Sequence, residues 1–137
     1  MSDIHGAART NYFRVKNLVA FKAWAHAHGL IIRQPEDTDL WAVYSADGLC
    51  WPRNYADPSA SDGCRIFDIV DELAVHVAAG QTVVWMETRL TPLRIVIGKA
   101  GAFRVTEEGC DRRSVSLNDI YRYAEEVWGD APNRCSG

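Results

Sequence analysis

Nine carboxylates fall between positions 36 and 72 (Glu36, Asp37, Asp39, Asp47, Asp57, Asp62, Asp68, Asp71 and Glu72) against two cations, Arg53 and Arg65, a local charge of −7. Positions 1–35 carry +4 and positions 73–137 are neutral, so the whole chain holds −3. Paired carboxylates can serve as general acid and base or hold a divalent cation, but both uses need rigid elements around a cleft. Here most of the acids fall in turns or at a helix start. Interleaved with Trp41, Tyr44, Trp51 and Tyr55, the block better fits a surface that meets a basic partner, with charge steering the approach and rings supplying contact area.

The other reactive side chains are scattered. Cys50, Cys64, Cys110 and Cys135 form no C-x-x-C pair, and the nearest two lie 14 positions apart, poor spacing for a zinc knuckle. Cys50, Cys64 and His76 are the residues a metal site would draw on; reduced structural or exposed thiols are the simpler account. His26 and His28 sit about 200° apart around a helix and do not share a face. His76 reads as a surface or hydrogen-bonded residue. There is no phosphate loop, no G-x-G-x-x-G, no G-x-S-x-G elbow and no H-E-x-x-H. Arg9, Arg14, Lys16 and Lys22 with Tyr12 and Phe13 make the best cationic and aromatic cluster, yet a pI near 5.8 and the acidic block oppose direct nucleic-acid binding. The expectation is a protein with no catalytic residue, no cofactor and no metal.

The elements that must position these residues follow from periodicity. Positions 10–15 alternate as a strand, and a helix follows with Asn17 as cap, Leu18, Phe21, Trp24 and Ala25 as its stripe and Gly29 as its stop. Strands are expected at 30–33 and 40–44, with a short one at 49–51. Positions 53–63 read as an irregular loop rich in turn residues, the kind of segment that presents side chains without building core. Asp68 caps a second helix whose stripe is Ile69, Val70, Leu73, Ala74 and Val77, so Asp68, Asp71 and Glu72 have a structural role at its positive end. Strands at 82–88, 93–98 and 102–106 come next, the last two joined by a turn at 99–101, then an edge strand at 114–115. Ser116 caps a final helix with Ile120, Tyr123, Ala124 and Val127 facing inward.

This order predicts an α+β fold, a mainly antiparallel sheet with about three helices packed on it. A single domain is expected over 10–129, between flexible tails at 1–9 and 130–137. At 137 residues one core suffices. No run reaches the roughly 20 apolar residues that cross a bilayer, and the first nine positions lack the apolar stretch of a secretory signal, so a cytoplasmic protein is expected.

The segment Thr10-Asn11-Tyr12-Phe13-Arg14-Val15, with Ala20-Phe21 and Trp24, resembles the start of a family of small plasmid- and phage-borne proteins. Asp71-Glu72-Leu73-Ala74, Gly80, Val83-Val84, Met86-Glu87, Leu93-Arg94, Gly98 and Asp119-Ile120-Tyr121 continue the resemblance in order. Positions 34–65 and 88–92 depart from it. The resemblance implies anti-defence work, as an anti-CRISPR or anti-restriction cargo protein acting on a subunit of a bacterial defence complex with a basic nucleic-acid channel. The contact residues expected are Asp37, Asp39, Asp47, Asp57 and Asp62, lying where phosphates would, with Trp51 and Tyr55 as anchors. No membrane or direct nucleic-acid contact is expected, and the chain would act as a monomer or a homodimer. The alternative is a small metal-dependent or small-molecule enzyme, or a metal-sensing regulator.

Overall fold

A computed structural model describes residues 5–46, 50–90, 96–130 and 132–133. The elements run β1 (His5–Thr10), α1 (Leu18–Ala27), β2 (Ile31–Arg33), β3 (Ala42–Tyr44), β4 (Asn54–Ala56), β5 (Cys64–Ile66), α2 (Ile69–Ala74), β6 (Thr82–Leu90), β7 (Val96–Thr106), β8 (Gly109–Ser116) and α3 (Asp119–Trp128). Six strands form one antiparallel sheet in the order β2-β3-β1-β6-β7-β8, and β4 pairs with β5 in a separate hairpin. This is the α+β class expected from the sequence. Among the described residues no helix is long and apolar enough to cross a membrane.

Side chains alternate between the two faces of a strand. On the inner face the register stacks Glu87 on Lys99 and Ser116, Trp85 on Gly101 and Ser114, and Val83 on Phe103 and Arg112. Against this face α1 buries Phe21 and Ala25, and α2 buries Ile69, Val70 and Leu73. Asn17 caps α1 by accepting the Ala20 N–H at 3.1 Å, and Asp68 caps α2 by accepting the N–H groups of Val70 and Asp71. Phe21 sits at the centre, ringed by Phe13, Trp24, Trp41 and His76 at centroid distances of 6.0 to 6.2 Å.

Four expectations are corrected. Residues 5–9 are not a tail: with Thr10 they form β1, which pairs with β6 on one side and with β3 on the other. Their small side chains hid the strand from a reading based on propensity, but they let neighbours close in, and a Cβ on Gly6 would overlap the Cys50 sulfur and the Thr88 carbonyl. Of positions 10–15, read as the first strand, Thr10 ends β1 and the rest make only isolated bridges, Phe13 to Trp41 and Val15 to Val77. The segment 53–63 is not wholly irregular, because Asn54, Tyr55 and Ala56 pair with Ile66, Arg65 and Cys64. Finally, positions 99–101 are no turn, and β7 runs unbroken through Gly101. Of the short strand expected at 49–51, position 49 lies outside the described residues and Cys50 and Trp51 belong to no strand; positions 93–95 of the strand expected at 93–98 also lie outside the described residues.

The last helix also departs from its periodicity. Ser116 accepts no capping role with its side chain; instead its N–H donates to Asp119 Oδ2 at 2.8 Å, and Gly129 ends the helix in a left-handed conformation. No residue of α3 is buried, and all eight residues of β8 are exposed.

Candidate binding cleft

Where the β4–β5 hairpin and the start of α2 stand over β6, β7 and β8, a cleft of about 790 Å³ opens. Trp51, Pro52, Ile66, Phe67, Ile69 and Trp85 supply its apolar surface. Arg53, Arg89, Lys99 and Arg112 supply cations, Ser114 and Ser116 hydroxyls, and Glu87, Asp68 and Asp119 carboxylates. Its volume lies in the usual range for small-molecule sites, roughly 300–1,000 Å³.

Glu87 is buried in the wall at 6% exposure. Its Oε2 accepts the Trp51 backbone N–H at 2.8 Å, and its Oε1 faces Lys99 Nζ at 3.5 Å. Burying a carboxylate is tolerable only with such partners. The pair is asymmetric, because Lys99 is about half exposed and its ammonium remains within reach of the cleft. On the opposite wall Arg112 bonds both Asp68 and Asp71 at 3.0 to 3.2 Å. Burial by itself would raise the Asp68 carboxyl, but the Asp71 N–H and the Arg112 guanidinium outweigh it and hold that acid below the usual range. Arg89 donates to the Cys50 sulfur at 3.4 Å, and among the described residues Arg53 makes no ion pair.

The cleft contains two unspent donors. Trp51 Nε1 and Trp85 Nε1 are sealed from solvent and have no hydrogen-bond acceptor among the described residues. The cross-strand partner of Trp85 leaves room for it here: the indole lies against Gly101, where a Cβ would overlap the ring. A buried donor left unpaired costs about 1–3 kcal/mol, and native proteins retain few of them.

A second polar cluster fixes the hairpin that walls the cleft. Glu72 on α2 accepts from Tyr55 Oη at 2.6 Å and from Trp24 Nε1 at 3.2 Å, with His28 Nε2 at 3.7 Å. His28 is packed edge-on to both Tyr55 and Phe67. The hydrogen bond to Glu72 raises the Tyr55 phenol to about 12. Beside the cluster, burial lowers the His76 imidazole. Sequence reasoning found Tyr55 and Glu72 but gave them other roles, and it set His28 aside. Their helical and strand positions carry no signal that they meet.

The residues expected to contact a partner are dispersed. Trp51 is buried at 6% exposure and so is not available as a surface anchor; its N–H holds Glu87. Tyr55 is half-buried with its hydroxyl committed to Glu72. Asp57 accepts from the Ser59 hydroxyl and N–H, which hold its carboxyl below the usual range, and it pairs with Arg65 at 2.7 Å. Asp62 accepts the Cys64 N–H within the hairpin loop. Asp39 pairs with Arg14 at 3.4 Å, and Asp37 is exposed in a left-handed backbone conformation, φ 59°. Asp47 lies outside the described residues. Cys50, Cys64 and His76 do not converge, and among the described residues no three His, Cys, Asp or Glu side chains gather as a metal set.

The cleft was not legible beforehand. Arg89, Lys99, Arg112, Ser114 and Ser116 come together only through strand register, and the one local signal was a glycine opposite a tryptophan on the neighbouring strand. Comparison of the chain with family models, with curated proteins and with solved structures finds no match.

Proposed function

We propose that this protein is a binding protein without a reaction of its own, and that its cleft receives an organic anion, a carboxylate or phosphate on an apolar body. The observation that carries this reading is the pair of buried indole N–H groups without acceptors in a cleft rimmed by Arg53, Arg89 and Lys99. An entering anion supplies the missing acceptor atoms, the cations offset its charge, and the aromatic and aliphatic walls hold its body. Because both N–H edges are closed off from solvent in this conformation, binding turns at least one indole toward the cleft.

Tryptophan fluorescence therefore reports it. Phenyl phosphate and benzoate, titrated against benzyl alcohol as the neutral control, are expected to give saturable changes that disappear in Trp51→Phe or Trp85→Phe. Arg89→Gln and Arg53→Gln are expected to weaken binding several-fold each, with unchanged circular dichroism. Equal responses to the neutral alcohol, or no saturation with either anion, would sink the reading.

A second reading retains the acidic inhibitor. It is favoured by the turn between β2 and β3, where Glu36 and Asp37 are exposed and make no ion pair among the described residues. With Asp39 and Asp62, this turn would meet the basic nucleic-acid channel of a bacterial defence complex, approaching fast at low salt and slowly at high salt. The variant Glu36→Gln, Asp37→Asn, Asp39→Asn, Asp62→Asn should lose inhibition of a sensitive CRISPR or restriction system while still binding the anion probes. Undiminished inhibition by that variant would remove this reading.

A further inference from the structure

We infer that the outer face of the sheet and helix α3 are two halves of one interface, closed by a second copy of this chain. The cleft opens on the other face of the sheet, and α3 borders it with its first residue, Asp119. Ile120, Tyr123, Ala124 and Val127 recur at helical spacing on α3, yet Ile120 is 64% exposed, Val127 71% and Trp128, the last residue of the helix, 76%. An apolar stripe of this period normally faces a partner surface. On the outer face, Met86, Leu90 and Val115 are exposed beside Ala100 and Ala102, with Leu117 covering only Gly98. Among the described residues, nothing partners either this apolar helix stripe or this apolar sheet face.

Charge says which surface covers which. At the β1–β3 side of the outer face, the Arg9 and Arg33 guanidinium groups lie 4.8 and 5.7 Å from the centre of the Tyr44 ring. The hollow of about 400 Å³ beside them is lined by Ala7, Ile31 and Met86, and no carboxylate is among its described lining residues. Helix α3 is the opposite: Asp119 and Glu126 flank its apolar stripe, while Arg122 and Glu125 lie on the far side, Arg122 turned toward Glu126 at 3.7 Å. An acidic amphipathic helix fits a basic hollow on an apolar floor. A two-fold pair makes the contact twice, each α3 crossing to the other copy's sheet, so that both exposed surfaces are covered with no free end. The exposed edge strand β8 then lies along the junction.

Sedimentation velocity on the full chain tests this. The mass should rise with concentration from 15.3 kDa toward twice that value. Val127→Glu and Met86→Glu, each at an exposed site, should both hold the protein at the single-chain mass without loss of circular dichroism. Mixing those two variants should recover a pair, since one retains an intact sheet face and the other an intact helix. Glu126→Arg and Arg33→Glu should each weaken pairing about tenfold and together restore it. A single-chain mass at every concentration overturns the inference, whether or not the Arg9 and Arg33 hollow then binds a DNA oligonucleotide or another protein. So does a dimer that survives both Val127→Glu and Met86→Glu.

Discussion

The two ends of this sheet carry helices of similar sequence pattern that meet opposite fates. From the β2–β3 end to the centre of the sheet, α1 buries Phe21 and Ala25 and α2 buries Ile69, Val70 and Leu73, and Phe21 and Leu73 have no exposed surface. At the β8–α3 end, a helix of equally regular period buries nothing. Amphipathic period says that a helix has a face to bury; it does not say against what. For α1 and α2 the partner is the same chain, because Asn17 and Asp68 start them directly over the inner face. Helix α3 has no buried residue, and among its residues only Asp119, the first, borders the cleft.

That contrast can be broken by mutation, and the largest effect belongs to the buried end. Phe21→Ala should cost about 3–5 kcal/mol in urea unfolding, since it removes a fully buried ring that four aromatic side chains surround. Glu72→Ala should cost about 1–3 kcal/mol by leaving the Trp24 N–H and Tyr55 hydroxyl without their acceptor, and amide exchange should quicken along the β4–β5 hairpin. Gly101→Ala drives a methyl into the Trp85 indole; a loss of about 1–3 kcal/mol and an altered near-ultraviolet spectrum are expected.

A smaller effect depends on pH. The Tyr55 phenol is raised from 10.0 to about 12 by its bond to Glu72, so the folded protein favours the neutral form. The bond therefore contributes fully below pH 10 and is lost as pH climbs toward 12. Stability measured across that window should fall more steeply for the parent than for Tyr55→Phe; parallel curves would mean that the bond does not hold in solution. At the exposed end, Val127→Ala in dilute protein should shift stability by no more than about 0.5 kcal/mol. A loss comparable to that of Phe21→Ala would show that α3 packs within its own chain, and the contrast between the two ends would fall.

Much of the local architecture was legible. Asn17 and Asp68 announced their helices, Leu73 and Phe21 their buried faces, and the strands around Val83 and Phe103 their period. Less was legible where local signal and tertiary context disagree. Residues 5–9 carry little strand propensity and occupy the middle of the sheet, because small residues suit a crowded central position. Gly101 reads as a turn and serves instead as a seat for Trp85. The acids from 36 to 62 read as one surface, but Asp57 is tied to Ser59 and Arg65 and Asp39 to Arg14, and among the described residues Glu36, Asp37 and Asp62 make no ion pair.

The sequence by itself determined the class of fold, the helix starts and the alternation that separates an inner from an outer sheet face, because each follows from chemistry within a few neighbouring residues. Tertiary structure alone decided that Trp51 is a wall and not an anchor. It alone joined Tyr55, Trp24 and His28 on Glu72 and gathered Arg89, Lys99 and Ser114 at one cleft. Trp24 and Tyr55 lie 48 and 17 positions from Glu72, and the cleft residues come from three different strands, so only strand register and helix packing, which depend on the whole core at once, bring each set together.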